Sequence, residues 1–361
     1  MKTDLSKNEL SEPFKKAVEI IESARNFVGR TANFATTVSY FEIGKIIVEQ
    51  EQKGKERAGY GEQVVKGLSQ MLNSHFKRGF SETNLKNARK FFMAYCNQIR
   101  QSPISELQSD KPEIRQTISA QFKLSWSHYQ ILMRIKDEKE RAFYETETAN
   151  QNWSVEQLQR NYASSLYERL ALSRDKNAVK RLANEGQTIE KSQDILKAPL
   201  VLEFLGMKER TVYSENDLES AIIDKLQDFL LELGKGFLFE ARQKRFTYDE
   251  DNFFVDLVFY NRILQCYVLI DIKTDKLKHQ DLGQMQMYVN YFDRHVKQSH
   301  EHSTIGILLC KDKNNSVVEL TLPKDAKIYA QEYSLYLPDK KVLQDKLAEW
   351  VKEFEDDKTE K

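Results

Sequence analysis

Two strand-like runs, Phe253-Phe-Val-Asp256-Leu-Val-Phe-Tyr260 and Tyr267-Val-Leu-Ile-Asp271-Ile-Lys273, constrain this chain more than any other feature. Each is apolar enough to lie inside a sheet, yet each carries an acid within the run. A carboxylate removed from water costs several kcal/mol unless a cation or a hydrogen-bond set compensates it. The stretch Asn261 to Leu264 reads as a hairpin loop that pairs Tyr260 with Gln265 and sets Asp256 opposite Leu269. Asp271 then lies one diagonal step away on the same face, with Cβ atoms about 7–8 Å apart or somewhat less. Lys273 shares that face, because strand side chains alternate with period two. A one-residue slip would separate the acids onto opposite faces. Two acids and an amine converging in an apolar sheet point to a divalent-metal site with an adjacent Lys.

A third acid joins the set. Ser214-Glu-Asn-Asp217 reads as a helix start, with Ser at the N-cap and an acid at N3, and Gly234 reads as the terminator. Counting by three, four and seven, Glu219 sits on the stripe of Ile222, Ile223, Leu226 and Leu230. Asp217, Asp224 and Asp228 fall on other faces and read as surface acids. A further helix, Leu282 to Phe292, has the core stripe Leu282, Met285, Val289 and Phe292, with Gln284 and Tyr288 as i,i+4 neighbours.

The order helix-Glu219, strand-Asp256, strand-Asp271-x-Lys273 resembles the PD-(D/E)xK nuclease superfamily, and Gln284-x-x-x-Tyr288 resembles the extra motif of its RecB-like branch. Leu202-Glu-Phe-Leu-Gly206, Tyr213-Ser-Glu-Asn-Asp-Leu-Glu219, Phe254-Val-Asp-Leu-Val-Phe-Tyr260 and Leu282-Gly-Gln284 look like the YhcG-like family of bacterial PD-(D/E)xK proteins. So do Tyr40-Phe-Glu-Ile-Gly44 and Gly79-Phe-Ser-Glu-Thr-Asn-Leu85, and the likeness runs from about Tyr40 to about Leu337. The resemblance implies magnesium or manganese held by Glu219, Asp256 and Asp271, with Lys273 orienting or deprotonating the attacking water and Gln284 and Tyr288 completing the catalytic set. Hard oxygen ligands suit magnesium, which stabilises charge on a phosphate. Asp271 stands where many superfamily members carry Glu, one methylene longer. The implied activity is hydrolysis of phosphodiester bonds in DNA, in repair, recombination or defence. Nucleic acid, a second copy of the chain, or a defence or repair complex are the implied partners. The rival reading is a catalytically weak nucleic-acid-binding or adaptor protein that keeps a nuclease fold. Each residue alone is weak: an Asp-x-Lys occurs by chance, and it is the order and shared face that carry the reading.

The fold class expected is α plus α/β, an all-helical, helix-turn-helix-like N-terminal region followed by a mixed β-sheet flanked by helices. Composition shifts suggest residues 1–175 as the helical domain, 176–198 as a charged linker, 199–345 as the nuclease-like domain and 346–361 as a tail. Lys+Arg and Asp+Glu balance at 55 each, so no global field draws the chain to nucleic acid and any binding must be local. One such patch is Lys77, Arg78, Lys86, Arg89 and Lys90, in a helix–Gly79 turn–helix segment whose second helix is capped by Ser81. Arg242 and Lys244, alternating on a strand, are further candidates for phosphate contact, whereas Trp126, Tyr129 and Trp153 read as core. Cys96, Cys266 and Cys310 are isolated, which argues against a disulfide scaffold and suits a cytoplasmic protein. The N-terminus lacks an apolar signal core, no run reaches a membrane span, and no His pairs with Cys as a metal ligand.

Overall fold

The Asp256 and Asp271 runs form adjacent antiparallel strands in a six-stranded mixed sheet. The computed structural model describes residues 35–52, 60–76, 79–100, 122–173, 181–182, 184–207, 212–313, 315–323 and 325–345. The strands are β1 (Leu200–Val201), β2 (Phe237–Tyr248), β3 (Asp251–Asn261), β4 (Cys266–Lys276), β5 (Ile305–Asp312) and β6 (Ile328–Ser334). They lie in the order β1-β6-β5-β4-β3-β2, with β2, β3 and β4 antiparallel and the β4–β5, β5–β6 and β1–β6 pairs parallel.

The central strands read as unbroken apolar runs because both faces of the sheet are covered. Val268, Ile270 and Ile272 of β4 pack on one side with Leu218, Ile222, Phe229 and Leu233. These come from two helices, Glu215–Asp224 and Leu226–Leu233, so the expected single helix breaks at Lys225 (φ −117°, ψ 33°) and ends at Gly234. Leu269 faces the other side, where Leu282, Met285, Val289 and Phe292 of helix His279–Tyr291 and its π-helical extension lie on the anticipated stripe. That helix seats close to β5 because Gly306 has no side chain: a Cβ there would stand 2.7 Å from Met285 Cγ.

Contacts divide the chain into two compact units, Met1–Leu158 and Gln159–Lys361. The stretch 176–198, expected as a linker outside any core, contributes to the second unit. Ile195 belongs to its core cluster, Leu182 is fully buried, and Ile189 and Leu196 pack alongside. Apolar residues are few there, but they are spaced to face inward. The same unit holds a buried ionic centre around Glu232. Its Oε1 accepts from Arg169 Nη1 at 2.5 Å and from the Val201 N–H at 3.0 Å, while Oε2 accepts from Arg160 Nη1 at 3.1 Å. Lys197 Nζ donates to the Glu232 carbonyl, and Arg169 also donates to Ser164 O at 2.7 Å and Pro199 O at 3.0 Å. Burial opposes the charge of Glu232, but Arg169, Lys197 and Arg160 outweigh it and hold the carboxyl at about 2.

In the first unit, helices Tyr60–Phe76 and Glu82–Arg100 flank a turn at Gly79, whose φ of 108° suits glycine. Ser81 caps the second helix by accepting the Asn84 N–H at 3.2 Å, and Tyr40 donates to the Gly79 carbonyl at 2.9 Å. Tyr40 stacks on Trp126 with centroids 4.4 Å apart, and Phe91 packs against Phe41, Phe122 and Tyr129. Trp126, Tyr129 and Trp153 are buried, as core residues should be. Among the described residues, no helix is long and apolar enough to cross a membrane. The tail 346–361 lies outside the described residues, and a helix covers 340–345.

Candidate active site

The β3–β4 ladder runs from Asn261–Cys266 to Leu257–Ile270, so Tyr260 pairs with Tyr267 rather than with Gln265. The loop is shifted because Asn261 stays in the strand and turns the chain with its own side chain. Its Oδ1 accepts the N–H groups of Ile263 and Leu264 at 3.0 and 3.1 Å. A displacement of two residues preserves side-chain parity. The acids therefore remain on one face, and the register continued one residue past Leu257–Ile270 sets them opposite each other instead of diagonally. Each also takes a backbone donor from the other strand. Asp256 Oδ2 accepts from Ile272 N–H at 2.9 Å, and Asp271 Oδ1 from Asp256 N–H at 3.4 Å.

Asp271 is only 2% exposed. Burial, and then the charge of Asp256, push its carboxyl up to about 7, against the pull of Lys273. Burial likewise raises Asp256, with Glu219 adding to the shift and the Ile272 N–H, Lys273 and Gln243 opposing it. Lys273 Nζ lies 3.4 Å from Asp271 Oδ2 and 3.4 Å from Glu215 Oε2. Burial works against its charge, but Asp271, Glu215 and Asp256 lift the amine above its ordinary value, and it stays an ammonium. Glu215 was not anticipated, since an acid in a helix's first turn reads as an ordinary partner of the helix dipole.

Glu219 is buried at 3% exposure, one helical turn beyond Glu215. Arg242 Nε donates to its Oε1 and Arg242 Nη2 to Ser220 Oγ at 2.9 Å. Gln243 Nε2 donates to Glu219 Oε2 at 2.5 Å and to Asp256 Oδ1 at 3.0 Å, linking the helix acid to the strand acid. Gln243 does this from a left-handed backbone (φ 46°) within β2, a conformation that costs a non-glycine residue about 1–2 kcal/mol. Nothing in its sequence context marked it: a glutamine among exposed strand cations reads as surface.

Gln284 donates to the Tyr288 hydroxyl, and Tyr288 is buried. Burial and then the Asp271 charge raise the Tyr288 phenol, which places that hydroxyl in the field of the acids.

The basic candidates separate. Lys77 and Arg78 lie outside the described residues. Lys86 and Lys90 are exposed. Arg89 is committed to Glu51 at 2.5 Å, Arg242 to Glu219, and Lys244 to Glu240 at 3.3 Å. These three pairings reduce the charge offered to a phosphate.

Two observations bear on a divalent cation. The donors are all hard carboxylate oxygens, and one ammonium does not bring Asp256 and Asp271 back to ordinary carboxylate behaviour, so the pair fits a second positive charge. Among the described residues, no three His, Cys, Asp or Glu side chains already converge as a metal cage, and Glu219 is bonded to Arg242 and Gln243. The strand pair thus fits a metal directly, and Glu219 joins only on exchanging those partners. A cavity of about 410 Å³ lined by Lys191, Cys266, His302 and Ile305 sits at the start of β4 and β5, at the other end of these strands from Asp271 and Lys273.

Residues 193–348 match the family described as YhcG PDDEXK nuclease domain, and residues 16–169 match the DUF1016 N-terminal domain. The chain is 40% identical over 346 residues to a protein of Escherichia coli (strain K12) named "Putative nuclease YhcG", covering 91% of each chain. Among solved structures it is similar to a repair endonuclease from Pyrococcus abyssi, at 16% identity and a TM-score of 0.24. It is also similar to EndoMS in a complex with dsDNA, at 14% identity and a TM-score of 0.25. Each match covers 37% of this chain and 50% of the other, so the chain spans half the length of these structures.

Proposed function

The chain belongs to the YhcG family of PDDEXK nuclease-domain proteins, and from that premise we propose that it hydrolyses phosphodiester bonds, in DNA, with a divalent metal. The observation that carries this reading is that Asp256 and Asp271 each accept a backbone N–H from the other's strand, with Lys273 3.4 Å from the second acid. Asp256 and Asp271 would hold magnesium or manganese, and Glu219, now bonded to Arg242 and Gln243, would be the third carboxylate available to it. Bound there, the ion supplies Lewis-acid stabilisation of charge on the phosphate. Lys273 places a fixed cation beside the point where that charge develops, and stays protonated because three carboxylates surround it. Glu215 holds the ammonium in position from the helix side. Gln284 donates to the Tyr288 hydroxyl, which feels the charges of Asp271 and Asp256. Lys86 and Lys90, exposed on the helix capped by Ser81, are the remaining described candidates for phosphate contact in the first unit.

The test is cleavage of labelled linear, circular and branched DNA by the full chain, with and without magnesium or manganese. Lys273→Ala should lower the rate by about 10²-fold or more, the scale of a positioned acid–base or electrostatic group. Its affinity for DNA in calcium should hardly change. Metal should raise the melting temperature of the wild type and not of Asp256→Ala. Equal metal stabilisation of Asp256→Ala removes the assigned metal site. Absence of cleavage on every substrate favours the scaffold reading, in which Arg242 permanently neutralises Glu219.

A further inference from the structure

A second groove, of about 360 Å³, lies between the far end of β2 and the outer side of the helix that carries Gln284 and Tyr288. Its floor is the Phe246–Tyr291 pair, stacked at 4.0 Å with an interplanar angle of 19°. His295 stands 5.0 Å from the Tyr291 ring and 6.2 Å from that of Tyr248, so four rings form a continuous array. Tyr248 is 58% exposed, an unusual amount for an aromatic at a cavity wall. Phe246 is covered by Tyr291 on one side and by Phe253, stacked at 26°, on another, so the ring offered to an incoming planar group is that of Tyr248.

The groove also has polar demands. Gln286 Oε1 is shut off from solvent and accepts no hydrogen bond, while its Nε2 donates to Asn290 Oδ1 at 3.4 Å. Arg294 is exposed at the rim and has no carboxylate partner among the described residues. The turn after Tyr248 carries Asp249, Glu250 and Asp251, which repel phosphates. Stacking on a base, with one cation for its neighbouring phosphate, fits this surface better than docking of a duplex backbone.

The groove connects with the site already described. Phe246 stands edge-on to Tyr288 at 5.6 Å, and Gly283 of the groove wall adjoins Gln284. We propose that this groove binds an unpaired nucleobase of the strand being cut, which makes single-stranded or frayed nucleic acid the substrate class. The inference rests on the phosphodiesterase reading for its purpose, but not for its measurement.

The experiment measures binding of the full chain to a single-stranded oligonucleotide carrying a fluorescent adenine analogue, and to the same sequence as a blunt duplex, in chelator. Separate DNA and RNA arms distinguish the two sources of the same base chemistry. The single strand should bind preferentially, with quenching of the stacked base. Tyr248→Ala should weaken it by about tenfold, since a stacked base contributes about 1–3 kcal/mol. Tyr248→Phe should restore both affinity and quenching, because the ring face rather than the hydroxyl is used. Preference for the blunt duplex, or unchanged affinity and quenching in Tyr248→Ala, overturns the proposal. Metal-dependent cleavage of the same oligonucleotide is followed in parallel for wild type and Asp271→Asn. Tyr248-dependent binding without Asp271-dependent cleavage upholds the groove and rejects the nuclease reading. Asp271-dependent cleavage with Tyr248→Ala binding like wild type does the reverse.

Discussion

Two clusters of buried charge in the same compact unit have opposite balances. Around Glu232, three cations and a backbone N–H surround one carboxylate, whose proton affinity is held down to about 2. Around Asp271, a second carboxylate faces the first across a strand pair with one ammonium between them and Glu215, and the carboxyl rises to about 7. Both sites bear the desolvation cost of burial. Only one has it compensated from within the chain. An overcompensated ion cluster is complete within the chain; an undercompensated one has capacity for an incoming positive charge.

The comparison breaks most visibly in stability. Glu232→Ala strands Arg169, fully buried, without its carboxylate. It should cost about 3–5 kcal/mol in urea unfolding, the scale for removing one partner of a buried pair. Asp271→Asn, measured in chelator, should be neutral or stabilising, because it relieves two opposed acids. Equal losses in both variants would erase the distinction between the clusters.

A second contrast is the sign of the pH dependence. Asp271 has a raised folded pKa, so its contribution favours folding at low pH and declines as pH rises from about 4 to about 7. Glu232 has a depressed folded pKa. Its contribution is complete above about 4.3 and declines as pH falls toward about 2. Unfolding free energies of metal-free wild type and Asp271→Asn should diverge with rising pH across the first window. A parallel pair of curves would mean that Asp271 is not held up in the folded chain.

The smallest effect concerns Gln243, which sits between Glu219 and Asp256 at a φ of 46°. Gln243→Gly keeps that backbone accessible, and this gain of about 1–2 kcal/mol is offset by the lost bonds to Glu219 and Asp256 and by glycine's own entropy, so stability should change by no more than about 1 kcal/mol. The same change removes the amide bridge and should lower cleavage. A glycine variant that gains stability and keeps full activity would reduce Gln243 to a strained surface residue.

The two halves of the site differed in how far they were legible from sequence. Asp256, Asp271 and Lys273 stood out because acids interrupt apolar runs, and period-two alternation fixed their shared face even though the loop was displaced by two residues. The stripe of Leu282, Met285, Val289 and Phe292 was equally readable, since helical periodicity is local. Gln243 was not, because its role depends on a left-handed backbone that no residue preference signals. Glu232 and Arg169 lie 63 positions apart and pair only after the chain folds. The charge density of 176–198 looked like solvation for the same reason: its cations and few apolar residues acquire meaning from distant partners such as the Glu232 carbonyl that receives Lys197.

The Glu232 centre also limits how the polypeptide can be divided. The family segment matching 16–169 contains both Arg160 and Arg169, whereas Glu232 lies in the segment matching 193–348. The seam between homologous segments therefore does not coincide with the seam between folding units, which falls at Leu158–Gln159. A catalytic fragment cut to begin at 193 would retain the acid and discard two of its guanidinium partners. Segment exchange between relatives meets the same constraint: an incoming N-terminal half must bring arginines that reach this carboxylate, or the nuclease sheet receives a buried negative charge with only Lys197 beside it.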